Sequence, residues 1–153
     1  MSDATIEAAR ELFEESVDHL RDSVQGLSAE ALAWRPAGED TNPLTVLATH
    51  AMHSTRWWLT IARGAPLPDR DRPSEFVAEA GSAEEVVAFM DAMAVDCRAR
   101  LDAEEPFDPL AAREVPDDEP VSAAWALLHA LEHLSEHSAV AQLTRQLWDD
   151  RAG

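Results

Sequence analysis

The chain has 153 residues, which is about one ordinary domain with a real core, so a single domain over residues 1–153 is expected. Thirty acidic residues against twelve basic ones leave a formal charge of -18. A field of that sign repels phosphate backbones and anionic lipid headgroups, and it argues against nucleic acid and membrane surfaces as partners. Every basic residue is Arg, and Cys97 is the only cysteine, so no intramolecular disulfide can form. No stretch approaches the roughly 18 apolar residues of a membrane span, and Met1 to Arg10 does not resemble a secretory leader. A cytoplasmic protein is expected.

The elements follow in chain order. From about Asp3 to Gln25, Ile6, Phe13, Val17, Leu20 and Val24 form the stripe of an amphipathic helix, which Gly26 ends. Ser28 opens a short helical turn through Leu32, and Pro36 stops it because the residue before a proline disfavours helical geometry. Ala37 to Thr41 reads as loop. Asn42 as cap and Pro43 in the first helical position start the second long helix, which runs to about Arg63 and ends at Gly64. Its apolar stripe is Leu44, Leu47, Ala48, Ala51, Thr55, Trp58, Leu59 and Ala62, and His50, His53 and Trp57 border that stripe.

Pro66, Pro68 and Pro73 mark an exposed connection. Ser82 with Glu85 matches a capping box, and Val86, Met90, Met93, Cys97 and Leu101 carry the third helix, with Cys97 a buried small hydrophobe. An acidic connection spans about Glu104 to Glu119. Pro120 then opens the longest helical pattern, to about Trp148, with Ala124, Leu127, Leu128, Leu131, Leu134 and Ala141 as its apolar face. The pattern predicts an all-α four-helix bundle, and three connections of more than ten residues leave crossover topologies open. Trp34, Trp57, Trp58, Trp125 and Trp148 are expected in the core, with the lining of a ligand pocket as the alternative.

The chemistry lies in the histidines. His129, His133 and His137 recur at steps of four, and residues so spaced lie about 6 Å apart on nearly one helix face, so a neighbouring pair can share one ion. The outer two stand about 12 Å apart, too far for nitrogen ligands about 2.1 Å from a metal. Both workable pairs, His129 with His133 and His133 with His137, require His133. A third ligand must come from another helix, where His50 is the best placed. His53, one turn on, suits a fourth ligand, a hydrogen-bonding neighbour or a proton relay, and His19 reads as a surface residue. A di-iron carboxylate bundle needs Glu followed three residues later by His on two helices, a pattern absent here; Glu132 and Glu136 point about 100° away from the histidines they precede.

The segment Leu47-Ala-Thr-His50-Ala-Met-His53-Ser-Thr-Arg-Trp57-Trp58-Leu59, with Leu128-His129-Ala-Leu-Glu-His133-Leu-Ser-Glu-His137, resembles the DinB/YfiT-like family of small metal-binding proteins. Leu27-Ser-Ala-Glu-Ala-Leu-Ala-Trp34-Arg-Pro36 is similar to it as well. The resemblance implies a bundle with crossover connections, a homodimer, and one zinc or nickel ion on His50, His133 and His137. It also implies a metal-dependent enzyme acting on a small-molecule substrate, with transfer to a low-molecular-weight thiol, isomerisation or hydrolysis as the chemistry. The alternative is a metal or small-ligand binding or stress-response protein without turnover. His53 and His129 are the candidate proton relays. The chain departs from the family at Ser138-Ala-Val-Ala141, where many members carry Gly-Gln, and at Thr55 or Arg56, where a glutamate is frequent.

Overall fold

The computed structural model describes residues 3–151. Its elements are α1 (Ala4–Val24), α2 (Ala29–Ala33), a 3-10 turn at Gly38–Asp40, α3 (Leu44–Arg63), α4 (Arg72–Glu75), α5 (Ala83–Leu101), a hairpin of β1 (Ala112–Arg113) and β2 (Val121–Ser122), and α6 (Ala123–Arg151). The four long helices form the bundle. Helix α6 packs against α1 and α3, and α5 packs against the same two, so α1 and α3 face each other across the diagonal, as do α5 and α6. Successive long helices α1 and α3 are therefore not adjacent. The connection bearing α2 crosses the bundle, and the one bearing the hairpin crosses it again between α5 and α6. Among the described residues no helix is long and apolar enough to cross a membrane.

The expected stripes form the core. Phe13, Val17, Leu20 and Val24 of α1, Leu44, Ala48, Ala51 and Leu59 of α3, Met90 and Cys97 of α5 and Leu134 and Ala141 of α6 belong to one buried apolar cluster. Helix α6 keeps Leu127, Leu131, Leu134 and Ala141 of its expected face buried but not Leu128, which is 62% exposed, or Ala124, which is half-buried; Ala123, Ala126, Ala130 and Ser138 join the buried line instead. Small residues on that line let the helix approach α1, where the Ser138 hydroxyl donates to the Ser16 carbonyl at 2.8 Å.

Two helix starts also differ from expectation. Pro43, and not Asn42, is the cap of α3; it sits in extended geometry, and its carbonyl accepts the first helical hydrogen bond from Leu47 at 3.0 Å. Helix α6 begins at Ala123, three residues after Pro120. The reason is the hairpin: once β2 pairs with β1, Ala123 and Ala124 donate to the carbonyls of Ala111 and Pro109, and Trp125 donates to the Ser122 hydroxyl. Three of the four backbone donors that any helix leaves free at its start are thus satisfied.

None of the tryptophans is fully buried: Trp125 is 47% exposed and the other four are half-buried, with Trp57 and Trp58 packed against the edge of the core. Trp34 meets Trp148 edge-on at 5.6 Å, and Trp58 meets Trp125 at 5.4 Å. An indole needs a partner for its N–H, which favours a surface edge over a dry interior.

Ser122 supplies the side-chain cap of the helix that carries three histidines. Ser122→Ala should lower stability by about 1 kcal/mol, read as a lower urea midpoint with an unchanged denaturant slope.

Candidate metal centre

Helices α3 and α6 are the most intimately packed pair in the bundle, and their shared face brings His50, His133 and His137 together. The Nε2 atoms of His50 and His133 lie 3.3 Å apart, as do those of His133 and His137. One ligand atom from each residue lies within 4.8 Å of the others, and the group could hold a metal ion. Two nitrogens bound at about 2.0–2.1 Å to one tetrahedral ion stand roughly 3.3–3.4 Å apart, which the spacings of His133 to His50 and to His137 match.

The tautomer of His50 fits as well. Its Nδ1 meets a Glu75 carboxylate oxygen at 2.7 Å. A carboxylate only accepts, so Nδ1 carries the proton and Nε2 turns its lone pair toward the other two histidines. Burial lowers the His50 pKa and outweighs the opposing influence of Glu75, which keeps the ring neutral. Burial, with the neighbouring imidazoles, brings His133 and His137 down to about 4. All three rings are therefore neutral near pH 7, the form in which imidazole ligates a metal. The His133 Nδ1 is buried without a hydrogen-bond partner, so that ring is oriented by packing alone.

Glu75 was not foreseen. It lies on α4, inside the stretch that its prolines marked as an exposed connection, yet it is 2% exposed. Burial alone pushes its carboxyl pKa up, but hydrogen bonds from Arg70 and His50, with their charges, reverse the effect and hold it below the usual range. Arg70 binds both carboxylate oxygens, Nε at 2.6 Å and one terminal nitrogen at 3.0 Å. The turn is built locally: Asp71 caps it by accepting from the Ser74 amide, and Pro73 sits in the first turn. Phe76, next in the chain, lays its ring 4.6 Å from that of His50.

The other histidines fall elsewhere. His129 stacks on Trp125 at 4.7 Å, meets Trp58 edge-on at 4.8 Å, and turns Nδ1 toward Glu132 at 3.3 Å. His53 packs on Phe89 of α5 at 5.4 Å, with its Nδ1 buried and unpartnered. His19 is exposed, as expected. Cys97 is fully buried and its thiol is pushed up to about 12, which removes it as a nucleophile. A cavity of about 410 Å³ opens beside the centre, and His50, His133, His129, Trp57 and Trp58 line it.

Fold and site together define an all-α bundle with a three-histidine centre that could hold a metal. Residues 5–141 match the DinB superfamily, and the chain belongs to it. A solved structure described as a conserved protein from Enterococcus faecalis shares the fold, with a TM-score of 0.76 at 15% identity over 96% of this chain and 98% of that one. No curated protein matches the chain.

The depressed histidines carry a stability consequence. Between about 4, the folded value of His133 and His137, and the ordinary 6.5, the unfolded chain binds protons that the folded chain does not. Stability therefore rises with pH across that window and is lost as pH falls from 6.5 through 4. Thermal melts of chelator-treated protein should show a melting temperature that declines over this range, and the double variant His133→Gln, His137→Gln should flatten the decline. An equal slope in that variant would place the acid sensitivity elsewhere.

Proposed function

We propose that this single-domain protein is a metal-dependent enzyme that holds one divalent ion, zinc or nickel, on His50, His133 and His137 and acts on a small molecule. The observation that carries this reading is the convergence of three neutral imidazole nitrogens at ligand spacing beside a cleft. Three protein ligands leave a tetrahedral ion one open position, as in catalytic sites and unlike closed structural ones. A bound ion supplies Lewis acidity and a nucleophile at neutral pH, from water or a thiol.

The protein's own residues do the rest. Glu75 holds the His50 ring in one tautomer, and Arg70 keeps the buried carboxylate charged. His129, at the cavity wall one turn before His133, is placed to pass a proton to solvent, whereas His53 faces α5 and does not line the cleft. Transfer of a group to a low-molecular-weight thiol is the leading chemistry. It needs no protein nucleophile, which agrees with the inert Cys97, and it is the activity that the family resemblance implies.

Elemental analysis of protein purified without an immobilised-nickel step should find about one ion per chain. Alanine at His133 or His137 should abolish it, while alanine at His129 should cost at most about 10 to 100-fold in affinity. Full occupancy in His133→Ala, or a larger loss at His129 than at His137, would contradict the ligand set. Glu75→Gln leaves His50 free to adopt the wrong tautomer and should weaken metal binding by about 10 to 100-fold. Turnover of thiols with electrophilic acceptors should rise through roughly pH 6 to 8 and vanish with a chelator. Stoichiometric metal with no turnover across a broad panel would favour a binding protein.

A further inference from the structure

The cleft beside the histidines contains an arginine without employment. Among the described residues, ten of the twelve arginines donate to a carboxylate, a carbonyl or a threonine hydroxyl, and Arg151 pairs with the Glu30 carboxylate at 3.8 Å; Arg72 alone makes neither a hydrogen bond nor an ion pair. That is unusual in a chain of thirty carboxylates, where a free guanidinium on the surface has many potential partners. Its neighbour Asp71 is committed to the Ser74 amide and Glu75 to Arg70 and His50.

Arg72 is nevertheless held in place. Its guanidinium stacks over Phe76 at 5.1 Å, and the Phe76 ring in turn packs on His50 at 4.6 Å. The cation thus stands one ring away from the histidine centre, with its donors open to the cavity that it lines. Arg70 lines the same cavity; Glu75 occupies its Nε and one terminal nitrogen, and its guanidinium lies over Trp57 at 5.7 Å. Trp57 and Trp58 supply flat apolar wall. Asp117 and Asp118 also border the space, and their charges disfavour a dianion.

We propose that this cavity is the substrate cleft and that Arg72 takes the carboxylate of a small organic acid of low net charge, whose body lies against Trp57 and Trp58. A carboxylate matches the planar fork of a guanidinium bidentately, and a charge-assisted pair of this kind orients a ligand as well as holding it. The assignment rests on the catalytic reading of the centre for making this ligand the substrate. The carboxylate site itself does not require the ion.

The test is tryptophan fluorescence titration with benzoate and with its neutral isostere benzamide at pH 8, on chelator-treated and on zinc-loaded protein. Benzoate should bind about tenfold more tightly than benzamide in both forms, as expected for one charge-assisted contact. Arg72→Gln should bring the two affinities together and leave that for benzamide unchanged, and Asp117→Asn should strengthen benzoate alone. Equal affinities in the unaltered protein, no binding of either compound, or a preference that survives Arg72→Gln would overturn the assignment. Zinc content measured on the same samples separates the two readings: a chain that takes up no zinc but prefers benzoate contradicts the metal centre and sustains the carboxylate site.

Discussion

The buried contact between Glu75 and His50 is the constraint on which the rest of the site depends. A carboxylate that is 2% exposed is tolerable only if its charge is answered. Arg70 grips both oxygens and His50 donates to one of them, so the carboxylate, the guanidinium and the imidazole form one hydrogen-bonded unit. Removing one member of such a buried set strands the others, at a cost of about 3–5 kcal/mol. The same contact dictates which nitrogen of His50 is bare, and hence that three lone pairs, and not two and a proton, can meet between α3 and α6.

That unit also explains the form of the connection between α3 and α5. Its prolines keep most of it in solvent, but the four residues of α4 turn one carboxylate inward and leave Arg72 and Phe76 beside it. One short segment therefore supplies the partner of a candidate ligand, the ring that packs against it and a cation at the cleft wall. Crossover topology serves the same end, because placing α3 next to α6 in space brings together histidines that lie 83 residues apart in the chain.

Much of this was legible from periodicity. Heptad-like spacing in α1 and α5 picked out buried positions correctly, since each helix has a single wet side. The step of four between His133 and His137, with a single central histidine on α3, was enough to nominate three residues whose nitrogens do converge; the choice between His129 and His137 came from family resemblance. The errors have physical causes. Leu127 and Leu128 are indistinguishable as hydrophobes, and only the packing of the bundle decides which of them turns inward. Pro120 looked like a helix start because a two-residue hairpin has too little sequence to announce itself. Glu75 was invisible because a proline-rich stretch with alternating charges reads as solvated, and nothing local says that one carboxylate will be needed by a histidine 25 residues earlier. The one available clue is general: a buried ligating imidazole needs an acceptor for its second nitrogen.

The central claim is that the three Nε2 atoms share one ion, and anomalous diffraction at the metal edge from crystals grown with zinc tests it most directly. The account predicts one strong peak per chain, about 2.0–2.1 Å from Nε2 of His50, His133 and His137, with Glu75 still on the Nδ1 of His50. A peak between His129 and His133, coordination through Nδ1 of His50, or zinc bound only at surface carboxylates would contradict it.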